Sequence, residues 1–322
     1  MIRQAAICLT ISFATQAVAE DFSLSPPLDC DLGSDCYIQQ YVDQDPTPAA
    51  QDHRCGPLSY DGHKGTDFAL PDRMRMADGV DVLASAPGIV RGTRDGMRDT
   101  GYTPETADAI KDRECGNGVV IVHSGGWETQ YCHMKQGSIT VARGDHVNAG
   151  DLLGQVGLSG RTQFPHVHLS VRKDGAVVDP FDPDGQITCG APDADTLWAT
   201  PPVYRPGGVI TVGVSGAVPS FGDVKTGSAH RANLPADTDA MVVFGYAFGS
   251  QAGDDMTLTL TGPDGVVVDK TMTLDRTQAQ FFRAIGKKRA EDRWPAGNYD
   301  ATVTLRRDGQ VIDSRANRVT LP

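Results

Sequence analysis

Pro165-His166-Val167-His168-Leu169-Ser170-Val171 alternates polar and apolar residues with a period of two. That is the signature of a strand with one buried face. Short apolar stretches of similar length recur in Val80-Asp81-Val82-Leu83, Gly88-Ile89-Val90 and Val119-Val120-Ile121-Val122, separated by glycine-rich turns. Together they read as a compact antiparallel sheet. With 36 glycines, 20 prolines and 7% aromatic residues among 322, turns are frequent and long helices are not expected, so the fold class is mostly β. The balance of 39% hydrophobic and 22% charged residues is that of a globular chain. The formal charge of -12 argues against nucleic acid or an anionic membrane surface as partner, since either would repel it.

The same stretch carries chemistry. Residues two apart on a strand share a face, so His166 and His168 present both imidazoles to one side, with Cα atoms roughly 6–7 Å apart. In His63-Lys64-Gly65-Thr66-Asp67 a plain strand would hold the histidine and the aspartate about 13 Å apart. A bend at Gly65 is therefore expected if the two are to meet. Two neutral imidazoles and a carboxylate make a three-ligand set for Zn2+, with a fourth position open to water, an arrangement suited to hydrolysis. His133, in Tyr131-Cys132-His133, and one of the paired histidines then remain for proton transfer or for stabilising an oxyanion. Regular alternation puts Tyr131 on the face of His133 and Cys132 on the opposite one. Spacing alone leaves a metal site and an incidental grouping both open, because histidine pairs on exposed strands are common.

Four separated motifs now combine: His63-x-Gly65-x-Asp67-Phe68; Gly116-Asn117-Gly118-Val119-Val120-Ile121-Val122-His123 with Thr129-x-Tyr131-x-His133-Met134; Gly157-x-Ser159-Gly160; and His166-x-His168-Leu169. In this order, over roughly residues 55–183, the chain resembles the lysostaphin-type zinc metallopeptidases that cut peptidoglycan peptides. The resemblance implies His63, Asp67 and His168 as zinc ligands. It implies His133 and His166 as the catalytic histidines, each as general base or as electrostatic stabiliser of the tetrahedral intermediate. It also implies that Ala86-Pro87-Gly88 and Asn148-Ala149-Gly150-Asp151 are turns of the peptidase sheet. Many members follow the H-x-H pair with an aromatic residue and a glutamate, where this chain has Leu169 and Ser170. The support of His168 is therefore expected to differ.

Residues 1–19 read as a signal peptide: Arg3, an apolar stretch from Ala5 to Phe13, and Ala17-Val18-Ala19 as the cleavage site. Periplasmic or secreted placement is expected, with no membrane-spanning segment. Cys8 leaves with the signal, and the six remaining cysteines suggest three disulfides. Cys30 with Cys36 suits a local loop, and Cys55–Cys115 and Cys132–Cys189 are the other expected pairs. Residues 20–54 read as an irregular, disulfide-tied arm, 55–190 as the metallopeptidase domain, and the proline-containing 191–208 as a linker. The polar stretch 94–115 interrupts the strand pattern, with one helical turn expected after Pro104.

Residues 209–322 carry strand patterns at Val209 to Val214, Ala240 to Phe248, Met256 to Leu260, Val266 to Val268, Tyr299 to Leu305 and Val319 to Leu321. They read as a β-sandwich resembling immunoglobulin-like modules. This domain is the expected contact for any envelope protein partner. His123 is read as structural or groove-lining, and His53, His146 and His230 as surface residues. The function expected is an exported zinc endopeptidase acting on peptide bonds of peptidoglycan stems or cross-links. The alternative is a member of the same fold that binds peptidoglycan, or activates another hydrolase, without cutting. Serine hydrolase chemistry is disfavoured because Gly157-Leu158-Ser159-Gly160-Arg161 does not have the G-x-S-x-G spacing.

Overall fold

Short strands bounded by glycine turns give this chain its architecture. The computed structural model describes residues 22–186, 189 and 195–322, so the signal-peptide reading and residues 191–194 of the linker lie outside the described residues. Among the described residues, ten strands occupy the first half: β1 (Tyr37–Gln40), β2 (Thr66–Ala69), β3 (Asp81–Leu83), β4 (Gly88–Arg94), β5 (Asn117–Val122), β6 (Trp127–Met134), β7 (His146–Val147), β8 (Leu152–Gln155), β9 (His166–Lys173) and β10 (Ala176–Val178). Seven run in the order β1-β2-β9-β6-β5-β4-β7, with β10 added to β9, while β3 and β8 pair separately. Every pairing between these strands is antiparallel. The motif-bearing strands β2, β9 and β6 are therefore direct neighbours in the sheet, although β2 ends at Ala69 and β9 begins only at His166.

The arm is less irregular than its prolines suggest. Tyr37–Gln40 is buried throughout and forms β1, the outer strand beside β2. Between β4 and β5 the chain makes the turn expected after Pro104, a 3-10 turn at Pro104–Thr106 continued by a short helix at Ala107–Ile110. The expected Asn148 turn also forms: Asp151 Oδ2 accepts from the Asn148 amide at 2.7 Å, and Gly150 adopts a φ of +87° just before β8.

Two disulfide pairs differ from expectation. Cys30–Cys36 forms, but Cys55 bonds Cys189 and Cys115 bonds Cys132. The reason lies in sheet geometry: Cys115 enters β5 beside the end of its antiparallel partner β6, which brings the Cys115 and Cys132 Cα atoms to 4.8 Å. Cys189, beyond the last strand of the first half, returns to Cys55, just after the arm.

The second half contains β11 (Gly208–Ser215), β12 (Ala240–Ser250), β13 (Asp255–Gly262), β14 (Gly265–Thr273), β15 (Gln278–Lys288), β16 (Gly297–Arg307) and β17 (Gln310–Leu321). They form a three-stranded sheet, β11-β12-β15, and a four-stranded sheet, β14-β13-β16-β17, around a core that includes Val243, Met256, Leu258, Phe281 and Val303. Tyr299 Oη donates to the Pro295 carbonyl at 2.9 Å and ties the entry of β16 to the preceding turn. β15 was not anticipated; its alternate residues remain partly exposed, so its apolar signal is weak.

The two halves share apolar packing. Phe244, Tyr246 and Phe248 of β12 belong to the same buried cluster as Tyr37, Phe68 and Tyr131. Hydrogen bonds reinforce the junction: Gln280 Nε2 donates to Tyr37 Oη at 3.0 Å and to Gln39 Oε1 at 3.1 Å, and Gln39 Nε2 donates to the Ala279 carbonyl at 2.7 Å.

Candidate metal centre

Register assembles the centre. Asp67 of β2 lies opposite His168 of β9, and Ala69 opposite His166. Directly paired residues of an antiparallel ladder share a face, so the carboxylate and both histidines of the H-x-H pair project to the same side. His63 precedes β2 and is turned back toward it, bringing His63 Nε2 to 3.2 Å from Asp67 Oδ1 and 3.1 Å from His168 Nδ1. His168 Nδ1 stands 2.8 Å from the same carboxylate oxygen. The bend anticipated at Gly65 is present, and the glycine has a further role. A Cβ there would fall 2.5 Å from His168 Nε2 and 2.7 Å from the Leu169 carbonyl oxygen, so only glycine lets the two segments approach this closely.

The donor set fits zinc. Nitrogen or oxygen ligands about 2.0–2.1 Å from a tetrahedral ion sit roughly 3.3 Å apart. The three contacts above are close to that spacing. His63 Nδ1 donates to the Tyr41 carbonyl at 2.6 Å. A carbonyl can only accept, so the neutral ring presents a lone pair at Nε2. The His168 Nε2 edge meets Ser170 Oγ at 3.0 Å, leaving Nδ1 for the centre. Ser170 thus takes the supporting place that sequence comparison left in question.

The other two histidines stand beside this group. His166 Nδ1 donates to the Phe164 carbonyl at 3.0 Å and lies 3.1 Å from Thr162 Oγ1, while its Nε2 is 3.4 Å from Asp67 Oδ1. The Phe164 ring stacks on it at 4.4 Å. His133 Nδ1 donates to the Ser159 carbonyl at 2.8 Å, and its ring centroid is 4.7 Å from that of His166. In both, the carbonyl fixes the tautomer and aims Nε2 inward.

His133 breaks the regular alternation. Its φ is +63°, in the left-handed region that a non-glycine residue seldom occupies. The His133 amide donates to the Cys115 carbonyl at 2.8 Å, which holds the chain in this conformation. Cys132 lies opposite His168, while Tyr131 lies opposite Leu169 and sends its hydroxyl into the core, where it accepts from the Ser85 amide at 2.7 Å. The expectation that His133 shares a face with Tyr131 and not with Cys132 is therefore reversed. The positive φ rotates His133 onto the face that carries Cys132 and His168.

Electrostatics follow from burial. Loss of solvent would raise the Asp67 carboxyl, but the His63 and His166 rings and the hydrogen bonds of His166 and His168 hold it well below the usual range. For His63, burial pulls downward and is outweighed by the Asp67 carboxylate, leaving the ring raised. Burial, followed by the neighbouring His166 and His168 rings, pushes His133 well below the ordinary imidazole range. Its neutral form prevails at neutral pH.

The remaining histidines lie elsewhere. His123 is buried between the Pro87 carbonyl at 2.8 Å and Thr129 Oγ1 at 2.8 Å, a structural position. His146 is exposed and His230 half-buried. His53 is not a surface residue: it is buried, stacked on Phe181 at 4.9 Å and edge-on to Tyr41. Sequence reasoning passed over Gln40 and Tyr41, and it gave Ser159, quoted within a motif, and Thr162 no role in holding the histidines. Three of these act through backbone carbonyls or irregular loops, which leave no trace in residue type, whereas Ser170 was readable two places after His168.

Residues 61–180 match peptidase family M23. Over 118 residues, 37% of this chain, it is 36% identical to "DD-carboxypeptidase/endopeptidase Mpg" of Neisseria meningitidis, covering 22% of that protein. Over 117 residues, 36% of this chain, it is 32% identical to "Peptidoglycan DD-endopeptidase ShyA" of Vibrio cholerae, again covering 22%. The chain thus spans about a fifth of the length of these curated relatives. Among solved structures, the catalytic domain of the prophage-encoded M23 protein EnpA from Enterococcus faecalis aligns at 25% identity and a TM-score of 0.33, covering 53% of this chain and 98% of that one.

Proposed function

We propose that the chain, whose residues 61–180 match peptidase family M23, is an exported zinc endopeptidase that hydrolyses peptide bonds of peptidoglycan stems or cross-links. The observation that carries this reading is the convergence of His63, Asp67, His168, His133 and His166 on one face, with the ligand atoms of the first three all within 4.8 Å of one another. The names of the Mpg and ShyA relatives support the substrate class.

His63 Nε2, Asp67 Oδ1 and His168 Nδ1 would hold the ion. When bound, zinc supplies a Lewis acid that acidifies water and polarises a carbonyl. The chain's own side chains do the rest. His133, kept neutral by burial, receives the proton of the attacking water at Nε2, while the Ser159 carbonyl keeps its Nδ1 proton in place. His166, its Nδ1 proton held by the Phe164 carbonyl and its ring by Thr162, acts in its doubly protonated form, donating from Nε2 to the oxygen that gains charge as the carbonyl becomes tetrahedral. The proton held by His133 then passes to the leaving amine.

Two measurements test this. Purified protein should contain about one zinc per chain, lost in His63→Ala and Asp67→Ala. Release of muropeptides from sacculi should disappear in His133→Ala while the fold is retained. Undiminished release by that variant would overturn the assignment of His133, and metal-free wild type would overturn the zinc reading.

A further inference from the structure

A cavity of about 750 Å³ opens from the centre toward the second half of the chain. Asp67, His133 and His166 line one side of it. The other side is formed by Phe221 and Lys225 of the short helix Phe221–Thr226 and by the segment Arg276 to Gln280 leading into β15. The hydrogen bonds of Gln280 and Gln39 across the junction fix how far this second wall stands from the sheet.

The charge of this cavity opposes that of the protein. Against a formal -12 for the whole chain, its charged lining among the described residues is Arg161, Lys225 and Arg276, with Asp67 as the one acid, enclosed by histidines. Lys225 lies over the Phe221 ring at 4.9 Å and Arg161 over the Tyr102 ring at 5.6 Å, and neither forms an ion pair among the described residues. Arg276 has only the exposed Asp275 at 3.9 Å. A buried acceptor joins them: Gln40, paired with Asp67 in the ladder and 6% exposed, has an Oε1 without a hydrogen-bond partner among the described residues. The opposite flank, beyond His63, is lined by Asp43, Asp45, Asp61, Asp179, Asp182 and Asp184 against one cation, Lys64, a balance that disfavours an anion.

We propose that the second half of the chain is a wall of the substrate groove, and that Lys225 and Arg276 on that wall, with Arg161 facing them, select a peptide arm bearing a free carboxylate. Gln40 Oε1 accepts an amide N–H of the same arm. This rests on the peptidase reading for the identity of the substrate. Lys225, half-buried, and Arg161 and Arg276, exposed at the rim, can each form a charge-assisted hydrogen bond to such a carboxylate, stronger than a neutral one. On this proposal the second half is part of the binding machinery and not a tether.

The test measures binding apart from cleavage. In the full chain carrying His133→Ala, calorimetry compares a muropeptide with free carboxylates against the same muropeptide with those groups amidated. The free-carboxylate form should bind about tenfold or more tightly, as expected for loss of a charge-assisted contact. Adding Lys225→Gln and Arg276→Gln should bring the ratio close to one, and Lys225→Arg with Arg276→Lys should preserve it. Absence of a preference, or a preference unchanged by the glutamine pair in a protein with unaltered melting, overturns the proposal. Sacculus digestion by wild type is scored separately. Digestion without carboxylate preference defeats this inference alone, and carboxylate preference without digestion defeats the peptidase reading alone.

Discussion

Cys132 lies directly opposite His168 on the neighbouring strand, so the Cys115–Cys132 disulfide is on the face that carries the His63–Asp67–His168 group. It also borders His133, whose left-handed backbone is held by a hydrogen bond to Cys115 itself. The crosslink therefore stabilises the chain and constrains the side chain proposed as the catalytic base at once.

Replacing both cysteines by serine should separate those two effects. The bridge closes a loop of 17 residues, for which chain-entropy arguments give about 3 kcal/mol of stability. Urea melts should register a loss of that order. Muropeptide release at a temperature where the variant is fully folded should fall further, because the Cys115 segment that positions His133 is no longer tied to β6. Activity equal to wild type under those conditions would show that the left-handed turn holds itself.

Gly65→Ala should damage the centre with little effect on the rest of the sheet. The added methyl meets both the His168 ring and the Leu169 carbonyl, and the backbone cannot give way as a flexible side chain would. Zinc affinity, measured by competition with a chelator, should drop at least tenfold, by analogy with losses of ligand orientation elsewhere. Far-ultraviolet circular dichroism should stay that of a β protein.

Ser170→Ala removes the partner of His168 Nε2 and leaves that edge of the ring without its hydrogen bond. Zinc affinity should fall by about 10–100-fold, and Ser170→Thr, which keeps the hydroxyl, should recover most of it. Unchanged affinity in the alanine variant would assign the ring's orientation to the Asp67 and Gly65 contacts instead.

How far the centre could be read from sequence depended on which backbone rule each residue obeys. His166 and His168 obey the two-residue period, so their common face was legible, as was the bend between His63 and Asp67. His133 departs from that period through one positive φ, a conformation that sequence seldom announces for a non-glycine residue, and the face of Cys132 was misassigned with it. The disulfide pairing failed for a related reason, since Cys115 and Cys132 meet through ladder register. His53, with no motif around it, packs among Phe181, Tyr41 and Tyr204 because the arm folds over the sheet. β15 escaped notice because of its partly exposed, polar-interrupted residues, and the groove wall it helps to build went with it.

Asp179 supplies a stability test independent of the metal. Burial, the dominant influence, with Asp182 and Asp52 nearby, pushes its carboxyl up to about 7, against hydrogen bonds from the Phe181 amide and Gln44 Nε2 that favour the ionised form. An unfolded aspartate titrates near 3.9. Between these values the folded chain binds a proton that the unfolded chain has released, so stability falls as pH rises. The contribution is complete below about pH 4 and exhausted above about pH 7, with a span on the order of 4 kcal/mol from three pH units at 1.36 kcal/mol each. Asp179→Asn keeps an acceptor for the Phe181 amide and removes the titration. The difference in unfolding free energy, wild type minus variant, should decline steadily from pH 4 to pH 7 and then level off. A difference that stayed flat or rose over that range would mean that Asp179 is ionised in the folded chain.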